Sequence, residues 1–257
     1  DVDAEIVTRM LNEGATITGK TVCEAYCFSG GSHTSSPAPV RNPHDTSRSA
    51  GGSSSGSGVV VATREVDAAI GCDQGGSIRM PSSFCGVVGM KPTWGLVPYT
   101  GVLGMNPQID HTGPMTSNVT DNARLLGVLA GRDGEDSRQS DVPRGTVDYT
   151  DALDDTDLSG LKVGVVAEGF GLSSSQEDVD VAVRHAAGLL SELGAEVTEM
   201  TIPLQASAGA VTFGSIQAIT TSMFGHDGAI LERPDLVPPS FVEKQRGWRE
   251  RADELPA

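Results

Sequence analysis

The stretch GGSSSGSGVVVATREVDAAIGCDQGGSIRMP, residues 51–81, decides the fold. It opens on eight residues of glycine and serine and continues into an apolar run that predicts a buried helix over residues 59–63. A short strand follows at residues 68–71, and a second pair of glycines precedes Ser77. A flexible linker is the other interpretation of residues 51–58. A linker, however, does not run directly into an apolar helix and a strand.

The residues around Ser77 suit acyl transfer. Gly75 and Gly76 let the backbone turn tightly before Ser77, so that several N–H groups converge on one point. Such donors stabilise the oxyanion that forms when a serine attacks a carbonyl carbon. The hydroxyl groups of Ser53 and Ser54 are candidates for carrying a proton to and from Ser77. The spacing therefore favours a functional site at this stretch.

Helices and short strands alternate on both sides of this stretch. Apolar residues share one helical face in residues 6–11, Gly14 ends that helix, and a β-branched run follows. The alternation predicts an α/β fold, in which a mixed β-sheet is sandwiched by helices. Ser117 or Thr120 is the expected cap of the helix at residues 119–130. The other predicted elements are strands at residues 15–18, 161–166 and 196–200 and a helix at residues 179–193.

Two stretches lack a regular pattern. Residues 29–58 are rich in Gly, Ser, Pro and His, and so long an irregular stretch in a compact domain is usually functional or disordered. Residues 133–157 are acidic and polar, which predicts a surface excursion or linker.

Composition excludes several function classes. The 257 residues carry a formal net charge of −16, which argues against a nucleic-acid partner. No apolar run is long enough to span a bilayer, so no membrane partner is expected. Four cysteines favour a reducing cytoplasm over a disulfide framework. Cys23 and Cys27 lack the second ligand pair that structural zinc needs, so we expect no metal.

Two other motifs compete with the central stretch. Residues 14–21, GATITGKT, match the phosphate-loop pattern, but that motif needs a strand before it and a helix beginning at its lysine. Here a helix precedes it, so we interpret Lys20 as a strand-end residue. A Ser–His–Asp triad with Asp110 and His111 stays open, since triads are recognised by geometry. Ser77 lacks the usual G-x-S-x-G frame, because Arg79 stands where the second glycine belongs, which favours a structural role for His111.

At residues 51–92 the sequence resembles the amidase signature family almost without gaps. Weaker similarity extends along the whole chain and includes CFSGGSH at residues 27–33 and DHTGPM at residues 110–115. The resemblance implies the amidase signature fold and the hydrolysis of carboxamides to a carboxylic acid and ammonia, without a cofactor.

The resemblance also implies a role for individual residues. Ser77 is the nucleophile that forms an acyl-enzyme, and Ser53, joined to Gly52 by a cis peptide, bridges Ser77 to a neutral lysine that acts as base. The remaining roles fall into three sets. The oxyanion hole comprises the backbone amides of Gln74, Gly75, Gly76 and Ser77, the loop is supported by Ser54, Asp73 and Arg79, and the leaving-group side is lined by Cys27 and Ser29.

One departure from the family pattern concerns the lysine. In the family it lies upstream of the glycine and serine block, before residue 1 of this chain, and neither Lys20 nor Lys91 matches it. The family fold also continues past residue 257. We therefore expect residues 1–257 to be the central part of one amidase signature domain, truncated at both ends and inactive alone.

Within the family, the runs at residues 28–34 and 110–114 are most similar to bacterial amidases of nitrile metabolism. These act on small aliphatic or aromatic amides in the cytoplasm. A glutaminase subunit of a transamidosome and a non-catalytic member that keeps the fold are the alternatives. A homodimer stays open as an assembly, and the exact amide and its enantiopreference are not set by the sequence.

Overall fold

The computed structural model describes residues 2–142, 147–224, 235 and 237–253. Chain contacts divide the protein into two compact units. The first comprises Asp1–Thr150 and Ile216–Ala257, and the second is Asp151–Ser215. The prediction of a single domain over all 257 residues stays a prediction. No helix of the described residues combines the length and the apolar character that a bilayer span requires.

The first unit begins with helix α1, Glu5–Asn12. Gly14 follows it in the left-handed conformation with φ of +83°, which confirms the predicted helix end. The predicted strand at residues 15–18 is wrong, because this segment is exposed and pairs with no strand of the described residues. Its β-branched residues favour an extended chain, but only a neighbouring strand makes such a chain part of a sheet.

Helix α2, Ser55–Ala62, starts four residues before the predicted helix at residues 59–63. Half of the glycine and serine block is therefore helical. Ser55, Gly56, Ser57 and Gly58 are all buried, because their small side chains let the helix backbone approach its neighbours.

A three-stranded antiparallel sheet forms the frame of the site, in the order β1, β3, β2. These strands are Ala68–Asp73, His111–Thr116 and Val88–Gly89 respectively. Helix α3, Arg79–Cys85, begins five residues after β1 ends, so a tight turn containing Ser77 joins them. Asp73 pairs with His111 at the end of β1, and this pairing fixes where the turn emerges.

Helix α4, Val119–Leu129, closes one face of this sheet. Its cap is Asn118, whose Oδ1 accepts from the Asp121 amide at 2.8 Å, so the predicted caps at Ser117 and Thr120 are wrong. Asparagine caps as well as serine does, and its position sets the helix start one residue later than Ser117 would. Apolar residues of α1 and α4 form one core cluster, which contains Ile6, Val97, Leu126, Leu129 and Ala130.

The predicted surface excursion at residues 133–157 is wrong in its first part. A 3-10 turn at Ser137–Gln139 buries Gln139 completely. The Gln139 Nε2 donates to the carbonyls of Gly95 and Gly131 at 2.7 and 3.1 Å, so this stretch is anchored in the first unit. Residues 143–146 lie outside the described residues.

The second unit has the predicted strand–helix–strand order. Strand β4, Lys162–Val166, pairs in parallel with β5, Glu196–Met200, and helix α5, Glu177–Glu192, connects them. Helix α6, Gln205–Phe224, and helix α7, Pro239–Asp253, complete the described elements.

Candidate active site

Ser53 and Ser77 lie on two segments that the structure brings together. The Ser54 amide donates to the Ser77 carbonyl at 3.2 Å, so the backbone that follows Ser53 lies directly beside the turn that holds Ser77. Both side chains are buried: Ser53 is 0% exposed and Ser77 is 8% exposed. The Gly52–Ser53 peptide is cis. Two serines 24 residues apart in sequence thus share one buried region.

Close backbone contacts fix the Ser53 segment. Gly51 has φ of +77°, and a Cβ atom there would lie 2.9 Å from Pro81 Cα, so only glycine fits. The Ser55 hydroxyl donates to the Gly51 carbonyl at 2.7 Å. The Ser53 Oγ is buried and has no hydrogen-bond partner among the described residues. A buried hydroxyl of this kind calls for a functional explanation, since it costs stability.

Ser54 differs from Ser53 in what its hydroxyl does. The Ser54 Oγ donates to the Cys72 carbonyl at 3.2 Å and accepts from the Cys72 amide at 3.1 Å. The side chain therefore ties the start of α2 to strand β1. The structure gives Ser54 the geometry of a tether and leaves the free buried hydroxyl at Ser53.

The turn from Asp73 to Ser77 is organised by the Asp73 carboxylate, which is fully buried. It accepts from the amides of Gly76 at 2.7 Å and Ile78 at 3.1 Å. Gly76 has φ of +131°, a conformation that favours glycine. Because its N–H already donates to Asp73, Gly76 differs from Gln74, Gly75 and Ser77, whose amides have no acceptor among the described residues.

Arg79 neutralises this buried carboxylate. Its Nη2 and Nε lie 2.9 and 3.0 Å from the two oxygens of Asp73, which is a two-pronged ion pair. Burial works to raise the pKa of Asp73, but the hydrogen bonds from Arg79 and from the Gly76 and Ile78 amides outweigh it. The pKa of Asp73 therefore lies below its usual value. The turn is held by an ionised carboxylate.

A second carboxylate, Asp110, holds the side chain of Gln74. The Gln74 Nε2 donates to Asp110 Oδ1 at 2.9 Å, and the amides of Met105 and Asn106 donate to Oδ2 at 2.9 Å each. Burial raises the pKa of Asp110 above its usual value. Sequence reasoning used Asp110 only as part of a motif, and the pairing with Gln74, 36 residues away, carried no local signal.

A third carboxylate, Glu24, was missed by sequence reasoning. It is fully buried and lies next to the Ser53 segment, because the Glu24 amide donates to the Ser53 carbonyl at 3.1 Å. An acidic residue between apolar neighbours was the available signal. That pattern fits an exposed turn equally well.

Cys27 and Ser29 reach the same region. The Cys27 thiol hydrogen-bonds to the thiols of Cys23 and Cys72, the last of which precedes Asp73 in β1. The hydrogen bond to Cys23 is the largest cause that raises the pKa of Cys27, and the same bond lowers the pKa of Cys23 to about 7. The Ser29 Oγ is buried without a partner among the described residues.

The competing motifs have contacts that tie the backbone together. The His111 Nδ1 lies 2.7 Å from the Ile109 carbonyl and 3.2 Å from the Asp73 carbonyl, so this ring joins two backbone segments. The Lys91 Nζ donates to the Pro92 carbonyl at 2.8 Å. Lys20 lies in an exposed segment where the described chain begins no helix, which removes the context that a phosphate loop needs.

Metal ligation was tested on the same coordinates. In the part of the chain that the structure describes, no three His, Cys, Asp or Glu side chains are arranged to hold a metal ion.

The chain is similar to amide-bond enzymes in sequence and in structure. A family model described as Amidase matches residues 1–234. An enantioselective amidase of Rhodococcus rhodochrous is 51% identical over 211 residues, which cover 81% of this chain and 40% of that relative. A glutamyl-tRNA(Gln) amidotransferase subunit of Caldanaerobacter subterraneus is 41% identical over 201 residues, 78% of this chain and 40% of its own.

Among solved structures, a bacterial aryl acylamidase of the amidase signature enzymes family superposes with a TM-score of 0.82. It is 26% identical, and the match covers 99% of this chain and 52% of that chain. The chain therefore spans 40% of the length of these curated relatives and about half of this solved structure.

Proposed function

The chain belongs to the amidase family, and from that premise we propose that it hydrolyses carboxamides to a carboxylic acid and ammonia through an acyl-enzyme on Ser77. The fold class supports the premise, since the structural match to an amidase signature enzyme confirms the predicted α/β fold. The proposal adds the reaction and the residues that perform it.

One observation carries the proposal: the Ser53 Oγ is buried, unpartnered among the described residues, and lies on the segment hydrogen-bonded to Ser77. In the proposed step the Ser77 Oγ bonds to the amide carbonyl carbon. Its proton passes to Ser53, which gives its own proton to a base. The C–N bond then breaks as the leaving nitrogen takes a proton back through Ser53, and water hydrolyses the ester to regenerate Ser77.

The backbone amides of the turn stabilise the oxyanion of both steps. Gln74, Gly75 and Ser77 supply the free N–H groups, each worth about 3 kcal/mol when aimed at the developing charge. Gly76 contributes differently, since its N–H donates to Asp73 and fixes the turn. Asp73 and Arg79 hold the turn in place, Ser54 ties it to α2, and Cys27 and Ser29 lie on the leaving-group side.

The substrate class follows from the similarity to the enantioselective amidase. We propose small aliphatic or aromatic amides, as formed in nitrile metabolism, and a cytoplasmic homodimer as the working form. The net charge of −16 disfavours nucleic acid as a partner.

A glutaminase subunit of a transamidosome is the second candidate, because a glutamyl-tRNA(Gln) amidotransferase subunit is 41% identical over 201 residues. The two functions differ in substrate. Ammonia release from propionamide or benzamide in the absence of partners favours the amidase. Ammonia release from glutamine alone favours the amidotransferase subunit.

The test uses the protein expressed from its complete coding sequence. Ser77→Ala is expected to lower ammonia release from benzamide at least about a thousandfold, because the nucleophile of the acyl-enzyme is lost. Ser173→Ala, at an exposed serine, is the matched control and should leave the rate unchanged. A fluorophosphonate should label wild type at Ser77, since labelling requires an activated hydroxyl. Retained turnover in Ser77→Ala would refute the proposal, and an unlabelled, inactive wild type would favour a non-catalytic member.

A further inference from the structure

Glu24 is a buried carboxylate that accepts four hydrogen bonds from one short loop. Its Oε1 accepts from the amides of Gly31 at 3.1 Å and His33 at 3.2 Å. Its Oε2 accepts from the amide and the hydroxyl of Thr34, both at 2.6 Å. No ion pair reaches it within the described residues, which leaves these donors to offset its burial. A carboxylate with this environment fixes the positions of its donors.

The same residue touches the Gly52–Ser53 unit with its side chain and its backbone. A Cβ atom added at Gly52 would lie 2.9 Å from Glu24 Oε1 and 3.2 Å from the Gly31 nitrogen, so Gly52 packs directly against the carboxylate and its loop. The Glu24 amide donates to the Ser53 carbonyl at 3.1 Å. Glu24 therefore borders Ser53 on both sides of its peptide.

Asp73 and Glu24 hold the two serine segments in equivalent ways. Asp73 accepts from the amides of the turn that carries Ser77. The Glu24 carboxylate accepts from the amides of the loop that packs on Gly52, and the Glu24 amide donates to Ser53 itself. We propose that Glu24 is a positioning residue for Ser53, which sets where the Ser53 hydroxyl stands relative to Ser77. This inference rests on the proposed function of Ser77 and Ser53.

A positioning role has a consequence that a purely structural role lacks. Moving the Ser53 hydroxyl slows proton transfer and leaves substrate binding intact, because Glu24 contacts the serine segment and not the substrate. The turnover number should fall while KM stays nearly constant. A structural role alone would lower the melting temperature and leave the rate per folded molecule unchanged.

The first experiment replaces Glu24 in the protein expressed from its complete coding sequence. In Glu24→Gln an NH2 group faces N–H donors, so at least one hydrogen bond is lost. We expect kcat for benzamide and the fluorophosphonate labelling rate at Ser77 to fall about tenfold to a hundredfold, measured well below the melting temperature. Glu13→Gln, at an exposed glutamate beside α1, is the matched control and should match wild type.

A second pair of variants keeps the carboxylate and changes one donor. Thr34→Val has nearly the same shape and loses the hydroxyl that donates to Oε2, so kcat should fall about threefold to tenfold. Thr34→Ser keeps that hydroxyl and should restore most of the rate. This pair remains informative if Glu24→Gln does not fold.

The outcomes separate the two proposals. Wild type labelled at Ser77, with Glu24→Gln or Thr34→Val labelled at an unchanged rate, overturns the positioning role and leaves the proposed function standing. A rise in KM with unchanged kcat also overturns it. Turnover retained in Ser77→Ala refutes the proposed function itself.

Discussion

Two segments of this chain carry glycines beside hydroxyl residues at the end of a helix, and they differ completely in the structure. In residues 14–21 every residue is exposed, whereas in residues 51–58 every residue is buried. The segments meet at one point, where the Gly56 amide donates to the Val22 carbonyl at 2.8 Å. The first matches the better-known sequence motif, but the second holds the candidate site.

The surroundings of the glycines explain the difference. A Cβ atom at Gly14 or Gly19 would have no atom within 4 Å. At Gly51, Gly52 and Gly56 it would lie 2.7–2.9 Å from atoms of other segments. Glycine in the buried segment therefore permits close approach of backbones, and a glycine pattern indicates a site only when the fold brings such neighbours to it.

The largest expected effect comes from adding one methyl group to each segment. Gly51→Ala would place Cβ 2.9 Å from Pro81 Cα at φ of +77°, and we expect it to lower the free energy of unfolding by about 3 kcal/mol or more. Gly19→Ala meets nothing and should change it by less than about 0.5 kcal/mol. Urea unfolding followed by circular dichroism measures both. Equal effects would show that the buried segment does not need its close contacts.

Local patterns predicted the elements that depend on their own residues. Strand β5 has the predicted bounds of residues 196–200, and α5 differs from its prediction by two residues at its start and one at its end. Residues 15–18 have a comparable β-branched pattern but form no strand, because a strand also needs a partner. Sequence patterns carry propensity, and partners come from the whole fold.

The candidate site was predictable where its contacts are local. Asp73 binds donors three, five and six residues ahead, and the short turn after β1 indicated them. Glu24 binds Thr34 ten residues ahead through an irregular loop, and Gln74 binds Asp110 across 36 residues. Neither pairing follows from spacing, since a loop or a sheet register decides which residues meet.

A smaller effect should follow from removing the charge beside the buried segment. The folded protein holds the pKa of Asp73 below its usual value near 3.9. The unfolded chain therefore binds this proton at higher pH, so Asp73 stabilises the fold fully above about pH 4 and loses that contribution as pH falls through its folded pKa. Asp73→Asn should lower the free energy of unfolding at pH 7 by about 2 kcal/mol, with Arg79 half exposed.

The pH dependence tests the same prediction. Below pH 4 the unfolding curves of Asp73→Asn and wild type should converge, because wild type then loses its ionised carboxylate. Glu13→Gln, beside the exposed segment, should give a curve parallel to wild type. A difference between wild type and Asp73→Asn that stays constant down to pH 2 would contradict the assigned ionisation of Asp73.

The smallest effect compares two thiols, one after each segment, without perturbing the fold. Cys23 is exposed just beyond the first segment, and the hydrogen bond from Cys27 lowers its pKa to about 7. Cys85 is buried beneath the second segment, where a Cβ at Gly58 would lie 3.3 Å from its Sγ, and burial raises its pKa to about 11. Since the thiolate is the nucleophile, iodoacetamide should modify Cys23 with a rate that rises through pH 7 and leave Cys85 unmodified.

Peptide mass spectrometry at timed intervals measures both rates, and Cys27→Ala supplies the matched variant. Without the Cys27 thiol the pKa of Cys23 should move towards the ordinary value near 8.5, so alkylation at pH 7 should slow several-fold, by about tenfold at most. Cys85 should become reactive only under denaturing conditions. If Cys85 reacted as fast as Cys23 in the folded protein, the second segment would be open to solvent as often as the first. The close packing that separates the two segments would then be transient, and the burial of Ser53 beside it would be transient as well.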